Sequence, residues 1–236
     1  MSVGGKSYGQ GITEIGKASW KLQGKLIPPE VLEGEKKAHD SSVPHVSFWC
    51  PDYEAVMKNK NTPEHFNMQM FFRILSLCHD VIPEHSDGKI KLSASNPDDE
   101  CLVAAAAYFG FTFQDRSEGN IILDSKEDGE QKIELLETIK FTSKRKAMSV
   151  AIKDTDGKIR LLIKGADTAI VKRLKSGQDT LLKSTIEHME QYSQEGLRCL
   201  LIGYRDIKED EYKRWANKYA EASTDLDQLD ALKKGL

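Results

Sequence analysis

The stretch IRLLIKGADTAI, residues 159–170, ends an apolar run on a lysine beside a glycine. A lysine ammonium at such a point donates charge-assisted hydrogen bonds to a phosphate, and a glycine lets a ligand approach the backbone closely. Two other segments carry complementary chemistry. FTSKRKAMSV (141–150) places Phe141 at the end of one apolar run and three cations before the next. SQEGLRCLLIGYR (193–205) places Arg198 at the start of an apolar run just after Gly196. Each segment alone reads as an ordinary solvated strand end. Together they supply an aromatic face, a lysine, an arginine and a permissive glycine, all near strand ends. That set suits a nucleotide, whose base stacks on a ring and whose phosphates take cationic donors.

Other chemistry is poorly served. GGKS at residues 4–7 imitates the end of a phosphate-binding P-loop, but the glycine five positions earlier and the strand before it are missing. Gly9-Gln10-Gly11 does not complete a dinucleotide fingerprint. His39, His45, His65, His79, His85 and His188 show no metal-ligand spacing, and His79 beside Cys78 reads as a packed helix residue. No nucleophile–base pair stands out, so no catalytic and no metal-binding residue is assigned. Cys50, Cys78, Cys101 and Cys199 form no C-x-x-C pair, which fits a reducing compartment. The 236 residues carry a net charge of −3, which argues against nucleic acid as a partner. No apolar run approaches the roughly 20 residues needed to span a bilayer.

The positioning elements follow from the pattern. Residues 1–62 read as extended and loop segments with a short helix near 52–58, and residues 63–236 as a helix–sheet core of the same single domain. PEHFNMQMFFRILSLCHD (63–80) has helical spacing at Phe66, Met70, Ile74 and Leu77. Asn96-Pro97-Asp98 opens a second, small-residue helix that stops at Gly110. Strand signals follow at 111–116, 120–125, 132–141, 148–154 and 159–165, joined by short glycine-bearing links that favour hairpins. Helices are expected after Gly165, over 178–194 and over 209–222, with another strand at 197–205. The fold class is α+β: a mainly antiparallel, twisted sheet flanked by helices.

The blocks FTSKRKAMSV, KGADTAIVKRL and EGLRCLLIGYR, in that order, resemble the nucleotide-binding domain of P-type ATPases. The wording after KGAD and around EGLR is similar to the phospholipid-flippase class. NPDDECLVAAAAYFGFTFQDR (96–116) resembles that class's Ser-Pro-Asp-Glu segment, and SYGQGITEIG (7–16) the stretch after its phosphorylation loop. The resemblance covers most of residues 7–225 and is weakest at 17–60. It implies that Phe141 stacks on adenine, that Ser143 reaches the base or ribose, that Lys164 and Gly165 line the pocket, and that Arg198 contacts the phosphates. The family's acidic residue falls on Asp99, where glutamate is usual, and Glu100 follows, leaving open which carboxylate faces the adenine.

The resemblance further implies an ATP-binding cytosolic domain that presents the γ-phosphate to an aspartate elsewhere. The family's Asp-Lys-Thr-Gly and Thr-Gly-Asp motifs and magnesium-binding aspartates are not in this sequence, so the chain alone is expected to bind ATP without catalysis. Mg2+ would be held mainly by a separate phosphorylation domain. That domain and an actuator domain would be the partners, at the cytosolic face of a membrane, with this chain monomeric and its two ends close together. A cation-transporting relative, or an interaction module of the same fold that lost its nucleotide, are the alternatives. Lys164 is expected to hold its amine in an open pocket mouth with Phe141 and Arg198, with Asp167 as its local rival rather than its fixed partner.

Overall fold

A computed structural model describes residues 1–9, 12–38, 43, 46, 48–86, 89–94, 96–222 and 231–233. The chain opens with β1 (Ser2–Val3) and β2 (Lys6–Ser7), then α1 (Glu14–Leu22), α2 (Pro29–Ala38), α3 (Pro51–Lys58) and α4 (Pro63–Leu77). A hairpin of β3 (Ile82–Ser86) and β4 (Lys89–Ser93) leads to α5 (Pro97–Tyr108). Five strands follow: β5 (Phe111–Ser117), β6 (Asn120–Ser125), β7 (Gly129–Ile139), β8 (Ala147–Lys153) and β9 (Ile159–Gly165). The short α6 (Asp167–Ile170) runs through a 3-10 turn into α7 (Asp179–Gln194), β10 (Leu201–Ile207) and α8 (Glu209–Glu221).

The six strands β5 to β10 form one antiparallel sheet in sequence order, with every neighbour in the chain also a neighbour in the sheet. This is the α+β antiparallel architecture expected from the alternating runs and glycine-bearing links. GGKS proves to be the β1–β2 connection: Val3 pairs with Lys6, and Gly4 and Gly5 sit at φ 58° and 81°. Two successive left-handed residues make the primed turn that suits a two-residue hairpin, which accounts for the glycine pair without a phosphate.

Residues 1–62 hold more regular structure than their composition suggests. Thr13 caps α1 by accepting from Gly16 N–H, and α2 forms over Pro29–Ala38, two helices that the pattern did not reveal. Both are mostly exposed. The β3–β4 hairpin was also missed, although Asp87-Gly88 between its two runs is a hairpin dipeptide. Gln10, Gly11, His39, His45 and the final residues 234–236 lie outside the described residues, and so does the expectation that the two chain ends meet.

Strand alternation gives the sheet two working faces. On one, Met148, Val150, Ile152 and Leu162 pack with Phe72, Ile74 and Leu77 of α4, Val103 and Ala106 of α5, and Phe111 and Phe113. Fully burying each large side chain contributes about 1.5–3 kcal/mol, so this layer dominates stability. On the other face, Ala147 and Leu201 meet Ala169 and Ile170, while Ala151, Leu161 and Ile207 pack together with Tyr212 of α8. Thr62 caps α4 through His65 N–H at 3.2 Å, with Pro63 in the first turn, and α4 buries Met70, Ile74 and Leu77 but leaves Phe66 exposed. Phe66 instead meets Tyr204 of the edge strand β10, ring centroids 6.4 Å apart.

Two buried polar features hold α4 to the sheet. Asp154, after β8, accepts from Arg73 Nε at 3.1 Å and from Arg160 at 2.5 Å, and Arg73 also reaches Gln131 at 2.6 Å. Burial works against the charged carboxylate, but Arg73, the Thr155 N–H and Arg160 outweigh it and hold Asp154 below the usual range. At the other end of α4, His79 is fully buried against Phe113. Its Nδ1 accepts from Val81 N–H at 3.1 Å, and its Nε2 lies 2.8 Å from the Ser76 carbonyl, so the neutral ring with a proton on Nε2 satisfies both contacts.

Asp154→Asn leaves two arginines of the network without their carboxylate and is expected to cost about 3–5 kcal/mol, read as a lower midpoint in urea. Burial, reinforced by Arg116, lowers the His79 pKa to about 3. Because the unfolded chain takes up the proton near pH 6.5 and the folded chain does not, stability is full above that pH. It falls by about 1.4 kcal/mol per pH unit below it from this residue alone. His79→Gln is therefore expected to flatten the dependence of unfolding free energy on pH between 6 and 4 by close to one proton. An unchanged slope would show that His79 is protonated in the fold.

Candidate functional site

Lys164 lies on the helix-facing side of β9, opposite Met148 of β8 and Ile202 of β10. An ammonium on an apolar face must find an anion, because an unpaired buried charge is too costly. It finds Asp99: Nζ sits 2.6 Å from Oδ1, and the two side chains are 6% and 8% exposed. The second oxygen of Asp99 accepts from Asp80 N–H at 3.2 Å, just past α4. Asn96 caps α5 by accepting from Asp98 N–H at 3.1 Å, and this cap sets the helix turn that aims Asp99 at the sheet. Arg116 of β5 fixes the end of α4 by donating to the Leu77 and His79 carbonyls at 3.3 and 2.8 Å. Burial pushes the Cys78 thiol up to about 12, so it stays neutral.

This corrects the expectation for Lys164. Its amine is not in an open pocket mouth; it is buried and paired, and the partner is Asp99 rather than the nearer Asp167. The physical reason is strand alternation, which turns Lys164 toward α5, whereas Asp167 already lies in the first turn of α6. Of the two candidate carboxylates, Asp99 is the buried one and Glu100 is exposed.

Gly165 has a steric requirement of its own. A Cβ there would stand 2.5 Å from the Lys146 carbonyl and 2.7 Å from the Ala147 Cβ. The space left by the missing side chain is filled by the chain itself, where Ala147 pairs with Gly165 and Ala166 N–H donates to the Lys146 carbonyl at 3.0 Å. Glycine is required at this point for β8 and β9 to close.

Arg198 is not in a strand. The β9 ladder ends where Gly165 meets Leu201, because the chain then turns into α6, so residues 197–200 have no strand to pair with. The Arg198 side chain is 84% exposed and its guanidinium lies 2.8 Å from Asp98, which is 27% exposed. Phe141 likewise falls two residues beyond β7, with 59% of its surface exposed, and Ser143 is exposed in the turn entering β8. That turn is closed by Lys146 N–H to the Thr142 carbonyl at 2.7 Å.

The register brings these groups to one place. Ile139 pairs with Ser149, Ala147 with Gly165, and Gly165 with Leu201. The end of β7, the start of β8, the end of β9 and the start of β10 therefore form one edge of the sheet. Phe141 and Arg198 stand on opposite flanks of that edge, and the first turn of α5 joins it through both Asp99–Lys164 and Asp98–Arg198. Asp98 was missed in the sequence, where three successive carboxylates look alike. Only the 100° step of the helix separates them, one into the core and one outward.

The site edge thus combines an exposed ring and an exposed arginine side chain around a buried lysine–aspartate pair. The model of the P-type ATPase cytoplasmic domain N matches residues 67–236. Phospholipid-transporting ATPase 10 of Arabidopsis thaliana is 37% identical over 96% of this chain, phospholipid-transporting ATPase DRS2 of Saccharomyces cerevisiae is 43% identical over 66%, and phospholipid-transporting ATPase ID of Homo sapiens is 38% identical over 75%. The aligned regions span 20%, 12% and 14% of those proteins, so the chain corresponds to a fifth or less of their length. With its antiparallel sheet and these matches, the chain belongs to the P-type ATPase cytoplasmic N-domain family.

Proposed function

We propose that this chain binds ATP as the nucleotide-binding domain of a phospholipid-transporting P-type ATPase. The observation that carries the reading is the sheet edge on which Phe141 and Arg198 are both exposed and held apart by β8 and β9. An adenine stacks on the Phe141 ring, with Ser143 beside it for the base or ribose. The triphosphate runs across the β8–β9 edge, formed by Ala147 and Gly165, toward Arg198. Lys164 and Asp99 act as a fixed polar floor under the nucleotide rather than as a free phosphate hook. Gly165 keeps that floor flat by letting β8 and β9 close.

The names of the relatives favour phospholipid over cation transport for the whole protein. In that protein ATP is the substrate, and its γ-phosphate is handed to an aspartate of a separate phosphorylation domain. Mg2+ is held mainly there, among the charges that such a transfer needs. The phosphorylation and actuator domains are the partners, and the domain works at the cytosolic face of a membrane. Among the described residues, no helix is long and apolar enough to cross one.

ATP titrated into this chain is expected to bind with a Kd on the order of 0.1–1 mM. Stacking contributes about 1–3 kcal/mol, so Phe141→Ala is expected to weaken ATP by at least about fivefold while the thermal midpoint stays nearly constant. Binding of GTP as tight as that of ATP, or an unaffected Phe141→Ala, would overturn the reading. Lys164→Met, by contrast, leaves the buried Asp99 unpaired and is expected to cost about 3–5 kcal/mol of stability. A stability loss below about 1 kcal/mol would show that the pair is open to water.

A further inference from the structure

We propose that Asp98 sets the affinity of this site by competing with phosphate for Arg198. The inference rests on the nucleotide-site reading above and deepens it. Asp98 and Asp99 are consecutive, and each holds one cation of the site edge. The two pairs differ in what a ligand can do to them. Lys164–Asp99 is almost fully buried and braced by Asp80 N–H, so it does not exchange with an incoming anion. Arg198–Asp98 is a single 2.8 Å contact through one terminal nitrogen, with the arginine side chain 84% exposed.

A guanidinium has five donors in a planar fork, and one carboxylate contact leaves most of them to water. A phosphate carries more charge than a carboxylate and takes two of those donors at once. Binding therefore exchanges one ion pair for another: the Asp98 contact breaks and an Arg198–phosphate contact forms. The freed carboxylate stays in the first turn of α5, where the helix dipole favours a negative charge, so its release is cheap. It also stays near the bound phosphate and repels it. Asp98 thus lowers affinity twice, by occupying Arg198 before binding and by repulsion afterwards. The ligand class it discriminates against is any anion at Arg198, while a neutral nucleoside is indifferent to it.

Asp98→Asn preserves the shape of the side chain and the capped N–H while removing the competing charge. It is expected to tighten ATP about two- to fivefold, the range for an exposed ion pair, and to leave adenosine affinity unchanged. In an Arg198→Ala background the same substitution is expected to have a much smaller effect on ATP. Thermal midpoints of all four proteins establish that each is folded, and Asp98→Ser serves if Asp98→Asn is not. Unchanged or weaker ATP binding by a folded Asp98 variant would overturn the proposal. So would a gain that persists undiminished in Arg198→Ala, since that would be a general charge effect, or an equal gain for adenosine. Absence of ATP binding by the unsubstituted chain and every variant would remove the nucleotide-site reading itself, and this inference with it.

Discussion

A lysine placed on the apolar, helix-facing side of a sheet strand must bring a carboxylate into the core, and most of the site follows from that demand. The face of Lys164 is set by strand alternation, opposite Met148 and Ile202. Its partner has to come from the layer packed above, and the first turn of α5 is the part of that layer rich in acids. Satisfying the pair requires the Asn96 cap, the Asp80 N–H and an α4 end held by Arg116. Each of these belongs to a different element. One ion pair thereby ties α4, α5, β5 and β9 into one rigid corner.

The opposite end of the sheet is held by a different device. Around Asp154, two arginines from α4 and β9 converge on one carboxylate, with Asp156 and Asp206 completing the coordination of Arg160 at 2.5 and 3.2 Å. This network is buried at Asp154, while Asp156 and Asp206 are about half exposed at its rim. The corner around Lys164 is closed at its centre but open at its flanks, where Phe141 and Arg198 face water. On the nucleotide-site reading proposed above, these exposed flanks make this end of the sheet the surface for a ligand. The Phe141 ring, 59% exposed, contributes little to packing.

Membership of the N-domain family fits this division of labour. On the proposed reading, a domain corresponding to a fifth or less of its relatives' length need only hold and present a ligand. Rigid strands and a braced helix start do that better than loops. Exchange of a single surface ion pair is the kind of low-cost event that such a rigid frame permits.

The sequence by itself determined the sheet. Period-two runs and the turns at Glu118-Gly119, Asp128-Gly129 and Asp156-Gly157 favour an antiparallel meander as the short-range solution, although the seven-residue β7–β8 link carries no glycine, and the Asn96-Pro97 and Thr62-Pro63 signals mark helix starts through local hydrogen bonds alone. The inventory Phe141, Lys164 and Arg198 was legible for the same reason: residue type and nearness to a strand end are local properties. Pairing between distant segments is not. Whether Lys164 meets Asp167, three residues away, or Asp99, 65 residues away, depends on which face β9 turns to α5. The role of Gly165 depends on the approach of Lys146 and Ala147 on a neighbouring strand. The start of β10 depends on where β9 stops, since a strand lasts only as long as its partner. These were decided by the tertiary structure, because burial and register are properties of two segments at once, and no single stretch of sequence contains both.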